Sequence, residues 1–382
     1  MLLIKNGRIK TMAGANFENG CVLIEKKSGK ILSVGERIDE TSDMEIIDAG
    51  GRLVTPGCVE AHCHIGLSDL SGQDHNESSG PITPEMRAID GINPQNEAFK
   101  NAIKGGVTSV CTGPGSANII GGTFAAIKCY GKRIDDMIIK NPVAMKVAFG
   151  ENPKRYYGQN GKTPKTRMAI AALLREFLYK AKKYYTDKEA GNDPAFDFKL
   201  EAMLPVMSGE IPLKAHAHRA DDIFTAIRIA KEFGLKLTLD HCTDGALIAD
   251  ELAKEGYPAF IGPTMGGKSK YELLNKSFKT PAVLNSAGVD IAIITDAGVI
   301  QIEYLPLVAG MAVKAGLPLE EAWKAITINA ATLTGIGDRV GSLEVGKDGD
   351  VVIWQADPLR EVGAEAYITV IDGKVVYRAT EE

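Results

Sequence analysis

The sequence predicts an α/β fold: a (β/α)8 TIM barrel with a small β-sandwich domain built from both chain termini. Three observations carry this expectation. Over the middle ~280 residues of the 382-residue chain, short β-like runs alternate with helical stretches. Both ends read instead as β-hairpins. Five of the six histidines fall at the ends of predicted strands, where a barrel gathers its chemistry.

The first ~50 residues contain LLIKNGRIKT, CVLIEKKSGKILSVG and EIIDAGGRLV, with Asn6-Gly7 and Ser28-Gly29 as turn signals. The last ~45 contain VGSLEVGKDGDVVIW and YITVIDGKVVY, with Gly and Asp at the turns. Residues 1–55 and 339–382 are therefore assigned to the sandwich, and 56–338, about Pro56 to Asp338, to the barrel. Its strands are expected in LVTPGCVEAH, VTSVCT, TFAAIKCY, VAMKVAFG, IPLKAHAH, KLTLDH, PAFIG and DIAIIT. Apolar residues three and four apart predict helices in NPQNEAFKNAIKGG, PKTRMAIAALLREFLYKAKKYY, ADDIFTAIRIAKEFG, GALIADELAKEG and EEAWKAITINAATLTGI. The third unit, GGTFAAIKCYGKRIDD, also reads as a hairpin.

Composition narrows the function. At 45% hydrophobic, the chain can bury one large core. A net charge of −5 argues against nucleic acid, which needs a basic face. The apolar runs are too short to span a bilayer, and the start MLLIKNGRIKTM has no secretory pattern. Six cysteines without a CxxC pair read as reduced thiols in a cytoplasmic protein. The expected partner is a small-molecule substrate, with no nucleic acid and no membrane.

In VTPGCVEAHCHIG, His62 and His64 stand at i and i+2, on one face of a strand, where two imidazoles can share a metal ion. His216 and His218 end the fifth strand, His241 the sixth and Asp296 the eighth. His75, in the loop GQDHNESSG, is the exception. Neutral imidazoles with a carboxylate suit Zn²⁺ and related ions. Such an ion brings the pKa of bound water to ~7, and Asp296 is placed to carry a proton from water to a leaving nitrogen. Cys63, between the two histidines, points the other way and packs. PGSANIIGG, which holds Asn118, and GPTMGGK miss the GxxxxGK[ST] spacing and read as active-site loops. Asn118, Arg155 and Tyr156 are the substrate-binding candidates. The plain alternatives are a strand-end role for the HxH pair, helix capping for Asp296 and snorkelling for Lys146.

PGCVEAHCHIG, LDHCTD and ITDAG, together with GSLEVGKDGDVVIW and VIDGKVVY, resemble motifs of the amidohydrolase superfamily over nearly the whole chain, closest to its imidazolonepropionase-like members. FGENPKRYYG resembles a mark of an uncharacterised subgroup, so no substrate transfers. The resemblance implies one or two divalent metal ions, zinc foremost, at His62, His64, His216, His241 and Asp296. It gives His218 a substrate-facing or proton-moving role. It makes Asp296 the base and then the acid, and His241 a catalytic group behind the metal if a single ion binds. Binuclear relatives bridge their ions with a carboxylated lysine. Lys146 in VAMKVAFG fits, because a buried neutral amine can take up CO2. Glu151 is the rival, and a one-metal site needs neither. The implied activity is hydrolysis of an amide or other C–N bond, cyclic amides included. Aromatic-ring deamination ranks lower, because Ala-His-Arg after His216 lacks the HxxE-type acid. Dipeptide cleavage and a non-catalytic barrel serving in binding or assembly are the other readings. A homo-oligomer is expected by analogy alone.

Overall fold

A computed structural model describes residues 1–69 and 72–380. Eight strands line up in chain order around a nearly closed barrel: β1 Cys58–Cys63, β2 Val107–Thr112, β3 Ile120–Lys128, β4 Ile138–Ala148, β5 Leu213–Ala217, β6 Leu237–His241, β7 Ala259–Ile261 and β8 Ile291–Ile293. In the middle strands, buried throughout, side chains alternate between two faces. Leu213, Ala215, Leu237 and Leu239 face the outer helices, while Lys214, His216 and Asp240 point into the barrel, Lys214 and Asp240 pairing from neighbouring strands. The helices follow the expected pattern. Arg167–Glu189 starts at Thr166, whose hydroxyl accepts the Ala169 N–H, and Ala220–Phe233 stops at Gly234 with φ +70°. The stretch EEAWKAITINAATLTGI forms two helices, Leu319–Ala325 and Ile328–Leu333. They part at Thr327, whose hydroxyl donates to the Trp323 carbonyl.

The third unit takes the hairpin form. β3 runs antiparallel to both β2 and β4, while the other paired neighbours in the barrel are parallel. Only the second half of β3 pairs with β2. Along its first half, backbone bonds run instead to the long segment after β1: Thr83 N–H to Ile120 O at 2.9 Å and Thr123 N–H to Met86 O at 2.8 Å. Gly122, at φ +118°, permits this approach, since a Cβ there would lie 2.3 Å from the Met86 carbonyl oxygen. Between β8 and β1 a buried carboxylate does the joining. Glu60 Oε2 accepts from Thr295 N–H at 2.8 Å and from its hydroxyl at 2.5 Å, and Oε1 accepts from His62 N–H at 3.1 Å.

Strands from both chain ends form a separate eight-stranded sheet. The ends meet where Val351–Trp354 pairs antiparallel with Leu53–Pro56. Ile4, Val22, Ile24, Val54, Ile353, Ile368 and Val370 fill its core. At the junction with the barrel, the buried Lys128 ammonium lies 2.9 Å from Asp348, 2.6 Å from Asp350 and 3.2 Å from Asp372. Asp348 is also held by Lys30 at 2.6 Å and Arg339 at 2.8 Å. Among the described residues, no helix is long and apolar enough to cross a membrane.

Candidate metal centre and active site

The strand ends bring His64, His216, His218, His241 and Asp296 to the floor of a cavity of about 280 Å³, with His62 fully buried beside them. Nε2 of His62 and of His64 lie 3.4 and 3.2 Å from Asp296 Oδ1, an oxygen that is buried without a hydrogen-bond partner. Such a carboxylate oxygen between two imidazole nitrogens is a costly arrangement unless a cation lies between them. His62, His241 and Asp296 form one group with metal-ligand spacing, and His216, His218 and His241 form a second. In the second, the imidazole centroids are 4.5 to 4.7 Å apart. The two groups share His241.

Second partners orient the rings. His64 Nδ1 lies 2.7 Å from Gly113 O and His241 Nδ1 2.7 Å from Gly262 O, so each donates there and leaves Nε2 free as a ligand. His218 Nδ1 sits 2.7 Å from the Thr243 hydroxyl. Burial lowers the pKa of His62, pushes His216 and His218 well below the usual range, and takes His241 down to about 3. These rings are therefore neutral at pH 7, the form that binds metal. His241 at φ +72° and Asp296 at φ +53° hold left-handed backbone conformations that non-glycine residues rarely adopt. At His241 the turn has a direct effect: Asp240 and His241, adjacent in sequence, both reach the barrel interior.

Asp240 belongs to a layer beneath the histidines that the sequence reading missed. It is fully buried. Oδ1 lies 3.0 Å from Lys214 Nζ and Oδ2 lies 3.2 Å from Lys146 Nζ. Oδ2 is also 3.0 Å from His62 Nδ1, but out of line for a hydrogen bond. The lysines, Lys214 foremost, hold the Asp240 carboxyl well below the usual range against the upward push of burial. Lys214 also stands 3.9 Å above the Phe260 ring.

The other candidates divide. Lys146 is completely buried, its Nζ 3.4 Å from His62 Nε2, and burial lowers its pKa; snorkelling is ruled out. Glu151 stays outside the cluster and exchanges bonds with the loop after β7: its Oε1 accepts from Glu272 N–H at 3.2 Å, and its N–H donates to Glu272 Oε2 at 2.9 Å. Arg155 and Tyr156 line the cavity. Asn118 does not. Its amide spends itself on structure, donating to Glu77 O and the Thr83 hydroxyl and accepting from the Tyr157 hydroxyl. Cys63 is buried as expected. His75, set aside in sequence as a loop residue, lines the cavity and stacks on His64 at 5.2 Å. It arrives there because its carbonyl accepts from Gly115 N–H at 2.6 Å, tying its loop to the one between β2 and β3. No strand-end signal could have marked it. Glu272 was also missed: it is buried, with Oε1 unbonded and 4.0 Å from His218 Nε2.

Residues 53–376 match the profile of the amidohydrolase family. A solved amidohydrolase from Thermotoga maritima MSB8 is 40% identical and superposes with a TM-score of 0.94, covering 99% of this chain and 100% of that one. Amidohydrolase tasK of Hapsidospora irregularis is 30% identical over 93% of this chain, which spans 39% of that protein's length. Imidazolonepropionase of Rhizobium rhizogenes is 27% identical, over 92% of this chain and 91% of its own.

Proposed function

Because this chain belongs to the amidohydrolase family and is a hydrolase acting on carbon–nitrogen bonds, we propose that it cleaves a small amide, linear or cyclic, with zinc as its metal and Asp296 as its proton carrier. The observation that carries this reading is the unbonded, buried Asp296 oxygen facing two imidazole nitrogens at the cavity floor. His62, His64 and Asp296 would hold one ion, and His216 and His241 a second. When bound, zinc supplies Lewis acidity toward water and the substrate carbonyl. The chain's own residues do the rest. Asp296 takes the proton of the attacking water and delivers it to the leaving nitrogen. His218, fixed by Thr243, faces the substrate. Tyr156 and Leu273 line the cavity walls around the site of reaction.

In this reading Lys146, as a carbamate, would supply the remaining ligand for the ions. Its neutral amine adds to CO2, forming an N–C bond and releasing one proton. Charge supports this. With both lysines protonated, Asp240 would leave a net positive charge under a site meant for cations. A carbamate at Lys146, with Lys214 still on Asp240, makes that layer net negative.

The test is metal content per chain, by elemental analysis of protein grown with zinc and bicarbonate. About two ions per chain, with ¹³C label from bicarbonate at Lys146, is the expected result. About one ion and no label removes the carbamate. No metal sinks the mechanism. Asp296→Asn should abolish turnover and keep the fold; full activity in that variant would take Asp296 out of the chemistry.

A further inference from the structure

Next to the cavity lies a second hollow of about 470 Å³ that shares Asn152, Arg155 and Lys270 with it. Five basic side chains line this hollow: Lys154, Arg155, Lys165, Arg167 and Lys270. In a chain of net charge −5, that is a local reversal of sign. Five cations on the described walls face one carboxylate, with Asp222 and Glu272 behind two of them. The one acidic lining residue is Glu151, and its Oε1 accepts from the Glu272 backbone. Arg167 is held by Asp222 at 2.9 Å. Lys270 reaches Asn152 Oδ1 at 2.6 Å and lies 3.8 Å from Glu272. Lys154, Arg155 and Lys165 make no ion pair among the described residues. In the cavity itself, Asp296 is the one carboxylate among the described lining residues, and it sits at the floor.

We propose that the substrate is an anionic amide: its scissile carbonyl lies over the histidine cluster, and an oxyanion group away from that bond, a carboxylate or a phosphate, sits against Arg155 and Lys270 at the entrance to the basic hollow. This rests on the hydrolase reading above and adds the substrate's charge. The chemistry is direct. A guanidinium offers paired N–H donors that match an oxyanion, and the lysines beyond it raise the local concentration of anions and steer them inward. Arg155 is an anchoring residue here. It touches the substrate's charged end and no reacting atom.

The test uses the zinc-loaded enzyme and three probes: N-acetyl-L-glutamate, N-acetyl-O-phospho-L-serinamide and the neutral N-acetyl-L-glutaminamide. Binding is read by calorimetry and hydrolysis by acetate release. At least one acid should bind about tenfold or more tightly than the neutral amide, with affinity falling as salt rises. The preferred acid identifies the oxyanion. Arg155→Gln should erase most of that preference, and any turnover lost should appear in KM more than in kcat. Equal binding of all three probes, no binding of either acid, or an unchanged preference in Arg155→Gln overturns the proposal. Charge-selective binding without acetate release would uphold the anion site and count against the hydrolase reading for these amides.

Discussion

Asp240→Asn tests the buried charge layer under the histidines. Each carboxylate oxygen faces one lysine, at 3.0 and 3.2 Å, in a region closed to solvent. At an effective dielectric of ~20, each contact is worth about 5 kcal/mol before desolvation. Desolvation takes back much of that, but deleting one partner leaves the others buried and uncompensated. The expected net loss is therefore about 3–5 kcal/mol of folding stability. The assay is equilibrium urea unfolding of chelator-treated protein in bicarbonate-free buffer, so that neither metal occupancy nor a carbamate enters and Lys146 faces Asp240 as an ammonium. The double variant Asp240→Asn/Lys214→Met removes one of the stranded cations and should recover a substantial part of the loss. A single variant within ~0.5 kcal/mol of the parent, or a double variant whose loss equals the sum of the two singles, would refute the reasoning.

Other outcomes follow from the same structure. Chelation should abolish activity, and added zinc should restore it and raise the unfolding midpoint with concentration, as mass action requires; a midpoint indifferent to zinc would argue against a resident ion. The Asp348 carboxyl is lowered by Arg339 and Lys128 against the push of burial, so its contribution is present above its unfolded pKa of ~3.9 and is lost as pH falls toward its lower folded value. Asp348→Asn should therefore flatten the acid arm of the stability profile, which urea unfolding across pH would reveal. Gly106→Ala should cost at least about 2 kcal/mol, because its Cβ would stand 2.2 Å from the Trp354 indole at a φ of +75°; a variant as stable as the parent would show that the indole yields freely. Lys146→Met should lower the zinc stoichiometry while keeping the fold, checked by elemental analysis alongside circular dichroism.

The sequence carried the barrel because apolar spacing changes character between strand and helix, and it carried most of the site because those residues stand at strand ends. His62, His64, His216, His241 and Asp296 were legible on that ground. Asp240 was not: strand alternation puts neighbours on opposite faces, and nothing in LDHCTD announces the left-handed turn at His241 that brings both inside. His75 was hidden for another reason, since its place depends on a loop tied to the β2–β3 connection by backbone bonds that have no side-chain signature. In sequence, the direction of β3 stays open between a strand–helix unit and a hairpin. Its residues are buried on both faces, so the burial pattern reads alike in either orientation.

That reversed strand bears on how the molecule assembles. With β3 antiparallel, residues 107–148 form a meander whose two connections, 113–119 and 129–137, are short, the second holding a single 3-10 turn, Ile134–Asp136. Such contacts are local, and the loops that close them carry little entropic cost. The seam at Glu60 and Thr295 joins positions 235 residues apart. The meander can therefore form as a unit while the seam, and with it the convergence of His62 and Asp296, waits for nearly the whole barrel. Pulse-labelling hydrogen exchange during refolding should protect the β3–β4 amides before that of Thr295, and a metal-competent site should be among the last features to mature.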